Sequence, residues 1–286
     1  NILSQDNLSW EKTTQFNYGV DFSVLNGRIG GTIDIYHSRT TDLLMKMSLP
    51  SLSGYPSIMS NVGETKNFGV DLSLNLVPVR TRNFEWNSNL NLSYQKDKIV
   101  ELSNGKQDDI SNSWFIGESI GVYYGIAANG LWQESDAELM NKYNANGHKF
   151  QVGMVRPVDQ PDENGEIDYK IDDKDRVILG NKNPRWIMGW TNTFSYKGFD
   201  LSIELYGRFK YMVSTGGEGQ FGMTQQREID YWTPDNPNAE WQKPIYNKSG
   251  GDAYSSLLGF KDAAFLKLRN ISLGCLLYTS PSPRDS

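Results

Sequence analysis

Phe68-Gly69-Val70-Asp71-Leu72-Ser73-Leu74-Asn75-Leu76, followed after a short break by Phe84-Glu85-Trp86-Asn87-Ser88-Asn89-Leu90-Asn91-Leu92-Ser93-Tyr94, is the stretch that decides the fold. Successive side chains of a strand point to opposite faces, so Phe68, Val70, Leu72, Leu74 and Leu76 share one face, with Gly69, Asp71, Ser73 and Asn75 on the other. The second stretch repeats the plan, with Phe84, Trp86, Leu90, Leu92 and Tyr94 against Glu85, Asn87, Asn89, Asn91 and Ser93. Pro78 to Asn83 predicts a short turn between them. Two further hairpins obey the same rule. Phe16, Tyr18, Val20, Phe22 and Val24 alternate with polar residues up to Asn26-Gly27, the strongest short hairpin signal, and Ile29, Ile33 and Ile35 lead on towards Thr40. Trp186, Met188, Trp190, Phe194 and Tyr196 precede Lys197-Gly198, then Phe199, Leu201, Ile203, Leu205 and Phe209 return. In a last strand, residues 262–274, the phase slips between Leu268 and Ile271, which predicts a bulge at Arg269-Asn270.

Each run approaches or exceeds the roughly 9–11 residues with which a tilted strand crosses a bilayer. A soluble sheet with one wet face gives the same alternation. The connections separate the two readings. Within pairs they are very short, whereas residues 41–67, 102–184 and 211–261 form long excursions. Compact soluble domains rarely hold several loops beyond roughly 15 residues, but outer-membrane barrels combine short periplasmic turns with long outer loops. With all three short turns on the periplasmic side, an even number of crossings lies between Ile99 and Trp186. We expect none, and residues 102–184 then form one outer excursion with short strands of its own, such as residues 121–126. The expected class is all-β: part of a large antiparallel transmembrane β-barrel with long extracellular loops.

Composition agrees. Mean hydropathy is −0.55 and no apolar run nears the roughly 18 residues of a spanning helix, so a helical membrane protein is excluded. Fifteen Tyr, twelve Phe and eight Trp suit interfacial aromatic girdles. A net charge of −6, from 28 basic and 34 acidic residues, offers no basic stripe, so nucleic acid is not an expected partner. The one cysteine, Cys275, permits neither an internal disulfide nor a cysteine metal cluster. The chain opens at Asn1 with strand-like sequence and no basic-then-apolar leader, from which we expect a piece of a longer protein.

Several motifs, in order, resemble the SusC/RagA family of TonB-dependent outer-membrane transporters. They are Leu8-Ser9-Trp10-Glu11-Lys12-Thr13, Thr40-Thr41-Asp42-Leu43-Leu44, Gly117-Glu118-Ser119-Ile120-Gly121-Val122-Tyr123-Tyr124-Gly125 with Gly130-Leu131-Trp132-Gln133, and Asp172-Asp173-Lys174-Asp175-Arg176 with Gly180-Asn181-Lys182-Asn183-Pro184. Trp232-Thr233-Pro234-Asp235-Asn236-Pro237-Asn238-Ala239 and Phe265-Leu266-Lys267-Leu268-Arg269-Asn270-Ile271-Ser272-Leu273-Gly274 complete the set. The resemblance implies a barrel of roughly 22 strands around a plug, energised through TonB by an N-terminal region that this chain lacks. It also implies a SusD-like lipoprotein as partner, glycans or peptides as cargo, a location in the lipid of the outer membrane, and no enzymatic activity. Residues 1–274 are then the C-terminal part of the barrel. Residues 275–286, from Cys275 through Pro281 to Ser286, resemble translated sequencing-adapter sequence and are expected to be a non-native tail.

Candidate sites lie in the long excursions. Tyr231, Trp232 and Trp241 can stack on sugar rings or pack their own loop, and Pro234, Pro237 and Pro244 favour packing; a Gly-rich run at 214–222 offers a hinge. Asp162, Asn164, Asp168 and Asp172 are calcium candidates, although Tyr169 stands where an EF-hand loop has glycine. Apart from calcium no cofactor is expected. His37 and His148 are too far apart to anchor a catalytic group. A passive porin and a secreted carbohydrate-binding β-protein remain as alternatives.

Overall fold

The computed structural model describes residues 8–61, 63–102, 105–216, 228–245 and 254–276. In chain order its elements begin with β1 (Lys12–Val24), β2 (Ile29–Thr41), β3 (Leu44–Ser48), β4 (Ser57–Asn61), β5 (Glu64–Arg80) and β6 (Phe84–Glu101). Then come β7 (Val122–Ile126), β8 (Ala128–Leu131), α1 (Ala137–Ala145), β9 (Val155–Pro157) and β10 (Arg176–Asn181). The series closes with β11 (Trp186–Tyr196), β12 (Phe199–Phe209), β13 (Met212–Ser214), β14 (Phe260–Asp262) and β15 (Phe265–Cys275). The chain divides into two compact units: Asn1–Ile120 with Asn183–Tyr211 and Ala264–Ser286, and Gly121–Lys182 with Met212–Ala263.

The first unit is built on a seven-stranded sheet in the order β1-β2-β5-β6-β11-β12-β15, antiparallel throughout. Because β6 and β11 are direct neighbours, no membrane crossing intervenes between them, as expected from the sequence. The turns follow local chemistry. Asn26 and Gly27 take φ of 54° and 80°, and Lys197 and Gly198 take 47° and 86°, the left-handed pairs whose twist matches that of the strands they join. The middle turn differs from expectation: β5 runs on through Pro78 to Arg80, and the chain reverses at residues 81–83. The ladder skips between Leu76 and Val79, so the proline, which has no N–H to give, sits in a bulge. Arg80 and Glu85 then clasp the turn at 3.1 Å.

Register carries the alternation across the whole sheet. One row runs Val20, Ile33, Leu72, Leu92, Met188, Gly207, Leu266, and the next position over runs Asp21, Thr32, Ser73, Asn91, Gly189, Tyr206, Lys267. The slip in β15 is absorbed opposite Glu204/Leu205, where Leu268 and Asn270 pair and Arg269 is passed over. This keeps Ile271 and Leu273 on the apolar face. That face is uncovered: Val20 is 62% and Leu273 74% exposed, which in water would be a large unfavourable surface. Aromatic residues bound it at both ends. Phe68, Tyr94 and Trp186 are linked at 6.4 and 4.7 Å, and eight residues along the strand Phe194 stacks on Trp86 at 5.7 Å. At about 3.3 Å per residue that separation matches an apolar band roughly 25 Å tall.

Two polar residues interrupt the apolar face, and both are satisfied within it. Trp190 donates its indole N–H to Ser88 Oγ at 2.8 Å, and Trp86 donates to Asn192 Oδ1 at 3.0 Å. Of the expected tail, Cys275 closes β15 opposite Phe199, and residues 277–286 lie outside the described residues.

In the full-length protein, Leu72→Arg places a charge inside the band, one row in from its aromatic boundary at Tyr94 and Trp186, and is expected to cost about 2 kcal/mol of folding. Ser73→Arg, one residue on, is expected to be tolerated. The folded fraction by heat-modifiable electrophoretic mobility measures both; equal loss in the two variants would refute the assignment of faces.

Candidate functional site

The polar face of the sheet is lined by short hydrogen-bonding and acidic side chains. Thr32 donates to Asp21 at 2.7 Å, and Arg269 pairs with Glu204 at 3.0 Å. Near the end of the sheet opposite the short turns, this face holds a cavity of about 190 Å³ between Asn67, Gln95, Asp97, Ser119 and residues 183–185. Its walls are tied by hydrogen bonds. The Ile120 N–H donates to Asp97 at 3.0 Å, Ser119 Oγ donates to the Asp97 carbonyl at 3.2 Å, and Gln95 Nε2 donates to the Pro184 carbonyl at 3.3 Å. Among the described residues Asn67 Oδ1 is buried there without a partner, so the cavity presents an acceptor to any donor that enters. Sequence reading misses this site, because its residues come from four segments: Asn67, Gln95 with Asp97, Ser119, and residues 183–185.

The second unit has its own core. Trp132, Tyr143, Phe150 and Ile171 are each under a tenth exposed and pack together, with Arg156 over the Trp132 ring at 5.1 Å and held by Asp136 at 3.3 Å. His148 stacks on Phe150 at 5.0 Å and accepts the Ile171 N–H at 3.1 Å. Burial lowers its pKa, which keeps the ring neutral and able to accept. Burial, with Asp175 close by, pushes the Asp159 carboxyl up to about 6. Asp175 itself is 3% exposed and accepts the N–H groups of Gln160 and Asp172, both at 2.7 Å, which ties the acidic loop down.

The calcium candidates are placed separately along that loop. Asp162 accepts the Asn164 and Glu166 N–H groups at 2.8 and 2.9 Å, and these bonds hold its carboxyl below the ordinary range. Asp168 accepts the Lys170 N–H at 2.8 Å and Asp172 the Lys174 N–H at 2.7 Å. Tyr169 does adopt the left-handed turn, with φ of 57°, but it packs on Tyr143 at 5.5 Å. Each carboxylate caps the backbone instead of converging, and among the described residues no three acidic, histidine or cysteine side chains are grouped to hold a metal ion.

The aromatic candidates divide. Trp241 is 5% exposed, with Lys261 over its ring at 4.4 Å, and its carbonyl accepts the Trp232 N–H at 2.9 Å. The Trp232 ring lies against Gly153, where a Cβ would meet it at 2.5 Å, and its indole N–H reaches Gln133 at 3.4 Å. Both tryptophans therefore fasten residues 228–245 to the body of their own unit. Tyr231, 43% exposed, is the one of the three free to meet a solute. Of the Gly-rich run at 214–222, residues 217–222 lie outside the described residues.

Residues 1–151 match the family model described as TonB dependent receptor-like, beta-barrel. TonB-dependent receptor P26 of Formosa agariphila is 31% identical over 94% of this chain, and TonB-dependent receptor SusC of Bacteroides thetaiotaomicron is 28% identical over 94%. The chain spans 28% and 26% of those relatives' lengths. Among solved structures, the RagAB peptide transporter superposes with a TM-score of 0.69 at 22% identity, over 95% of this chain and 29% of that one. That likeness shows a shared fold.

Replacing Trp241 with alanine in the full-length protein is expected to destabilise the second unit by about 3–5 kcal/mol, the usual cost of removing a buried aromatic. Tyr231→Ala is expected to stay within about 0.5 kcal/mol. Hydrogen exchange across residues 228–245 checks the pair; unchanged protection in Trp241→Ala would show that its ring does not hold the segment.

Proposed function

Since the chain belongs to the TonB dependent receptor-like β-barrel family, we propose that it forms the C-terminal wall of an outer-membrane importer that is driven through TonB and works with a SusD-like surface lipoprotein. The location itself is settled by family membership: this is an outer-membrane β-barrel sequence. The observation that carries the importer reading is the asymmetry of the sheet. Three tight turns close one end, while at the other β6 leads out to residues 102–184 before β11 returns, and β12 leads out to a second long excursion before β15. Long, folded excursions on one side fit a pore that meets its cargo and partner there.

The polar face supports uptake of solutes rich in hydroxyl and amide groups. Its Asn, Ser, Thr and acidic residues exchange hydrogen bonds with such solutes about as readily as with water. Oligosaccharides and peptides both meet that description. One solved relative is a peptide transporter by name, which favours peptides without excluding glycans. The relatives are receptors and transporters, and we assign no catalytic role to the chain.

Cells carrying the full-length gene, supplied with labelled oligopeptide and oligosaccharide pools, are expected to accumulate one pool at least tenfold more than cells lacking it. Deleting TonB is expected to abolish that difference. Accumulation that persists without TonB would overturn the proposal and make the barrel a passive porin.

A further inference from the structure

We propose that Lys66, Lys96 and Lys98, flanked by Arg39, bind the phosphate headgroup of a lipid in the leaflet next to the long loops. The inference rests on the apolar face meeting lipid and does not depend on import. Arg39, Lys66 and Lys98 stand directly opposite one another on β2, β5 and β6, and Lys96 stands opposite Phe68 one step nearer the band. All four occupy the register positions that continue the apolar face outward from Ile35, Val70 and Tyr94. Immediately inside them lies the aromatic group of Phe68, Tyr94 and Trp186. Going outward, the face therefore reads hydrocarbon-facing residues, then interfacial aromatics with Lys96 and His37 level with Phe68, then the row Arg39, Lys66 and Lys98, which lies at headgroup depth.

Their own neutralisation is incomplete. Like charges directly opposite in a sheet repel, and of the three cations in this row only Arg39 and Lys66 reach the well-buried carboxylate Glu64, 8% exposed. Glu64 hydrogen-bonds Arg39 and lies 3.8 Å from Lys66. Glu101, opposite Glu64, is the other acid at this level. Lys96 and Lys98 are both exposed and make no ion pair among the described residues. Adjacent strands are about 4.8 Å apart, so ammonium groups from β5 and β6 can share one phosphate, whose oxygens accept several charge-assisted hydrogen bonds. At the other end of the sheet Arg80 is held by Glu85 at 3.1 Å and Lys197 lies over the Tyr196 ring at 5.3 Å, while Arg28 and Arg82 stand at two different turns and form no row of cations.

The test is native mass spectrometry of the full-length protein in detergent with diphosphoryl lipid A, the same lipid dephosphorylated, and inorganic phosphate as competitor. Diphosphoryl lipid A is expected to bind at least tenfold more tightly than the dephosphorylated form, and equimolar inorganic phosphate is expected not to displace it. Combined Lys66→Gln, Lys96→Gln and Lys98→Gln is expected to erase that preference, while Arg80→Gln leaves it intact. Should the triple variant lose its folded mobility, the Lys96→Gln, Lys98→Gln pair, which breaks no ion pair, gives the same reading. Equal binding of the two lipids, an unchanged preference in the folded variants, or displacement by inorganic phosphate would each overturn the proposal.

Discussion

A peptide N–H or C=O left without a partner in hydrocarbon costs several kcal/mol, and every other feature of the sheet unit depends on avoiding that cost. The answer is a continuous antiparallel ladder from β1 to β15 in which each inner strand is bonded on both sides. Its irregularities fall where the ladder can tolerate them. Pro78 sits in a bulge near a turn, and Arg269 is passed over in a strand bonded on one side only. The two outermost strands carry unpaired edges, which in a barrel are met by further wall.

Once the ladder is in place, period-two geometry distributes chemistry without further instruction. Lipid-facing rows receive Val, Ile, Leu and aromatic residues, the opposite rows receive Asp, Asn, Ser and Thr, and aromatic groups mark both boundaries. The second unit obeys a different rule. It is stabilised by a core of its own around Trp132 and by side chains that cap its loops.

This difference decides what could be read from sequence. The strands of the wall were legible because alternation is a local signal: all seven, the two Gly turns and the compensating slip at Arg269 follow from spacing, but not the strand ends, since β5 and β6 run on past their apolar alternation and Asp262 belongs to β14 instead of β15. Pro78 misled the placement of the middle turn, since a bulge that accepts proline has no local signature. Ser88 and Asn192 likewise look like errors in the apolar face until the partner strands bring Trp190 and Trp86 to them. The second unit was not legible. Trp132, Tyr143, Phe150 and Ile171 converge from separate points in the chain and Trp241 is buried elsewhere, so neither the burial of Trp241 nor the backbone-capping role of Asp162, Asp168 and Asp172 could be told from a binding role. The cavity at Asn67 needed both the β5–β6 register and the return of the chain at residues 183–185.

The central claim is that one face of this sheet meets lipid and the other meets water. Nitroxide labels placed one at a time from Phe68 to Leu76 in the full-length protein, in lipid vesicles, test it most directly through collision with oxygen and with a water-soluble nickel chelate. Oxygen contact is expected to peak at Phe68, Val70, Leu72, Leu74 and Leu76, and nickel contact at Gly69, Asp71, Ser73 and Asn75, in opposite phase. Two profiles rising and falling together, or neither showing a period of two, would contradict the account.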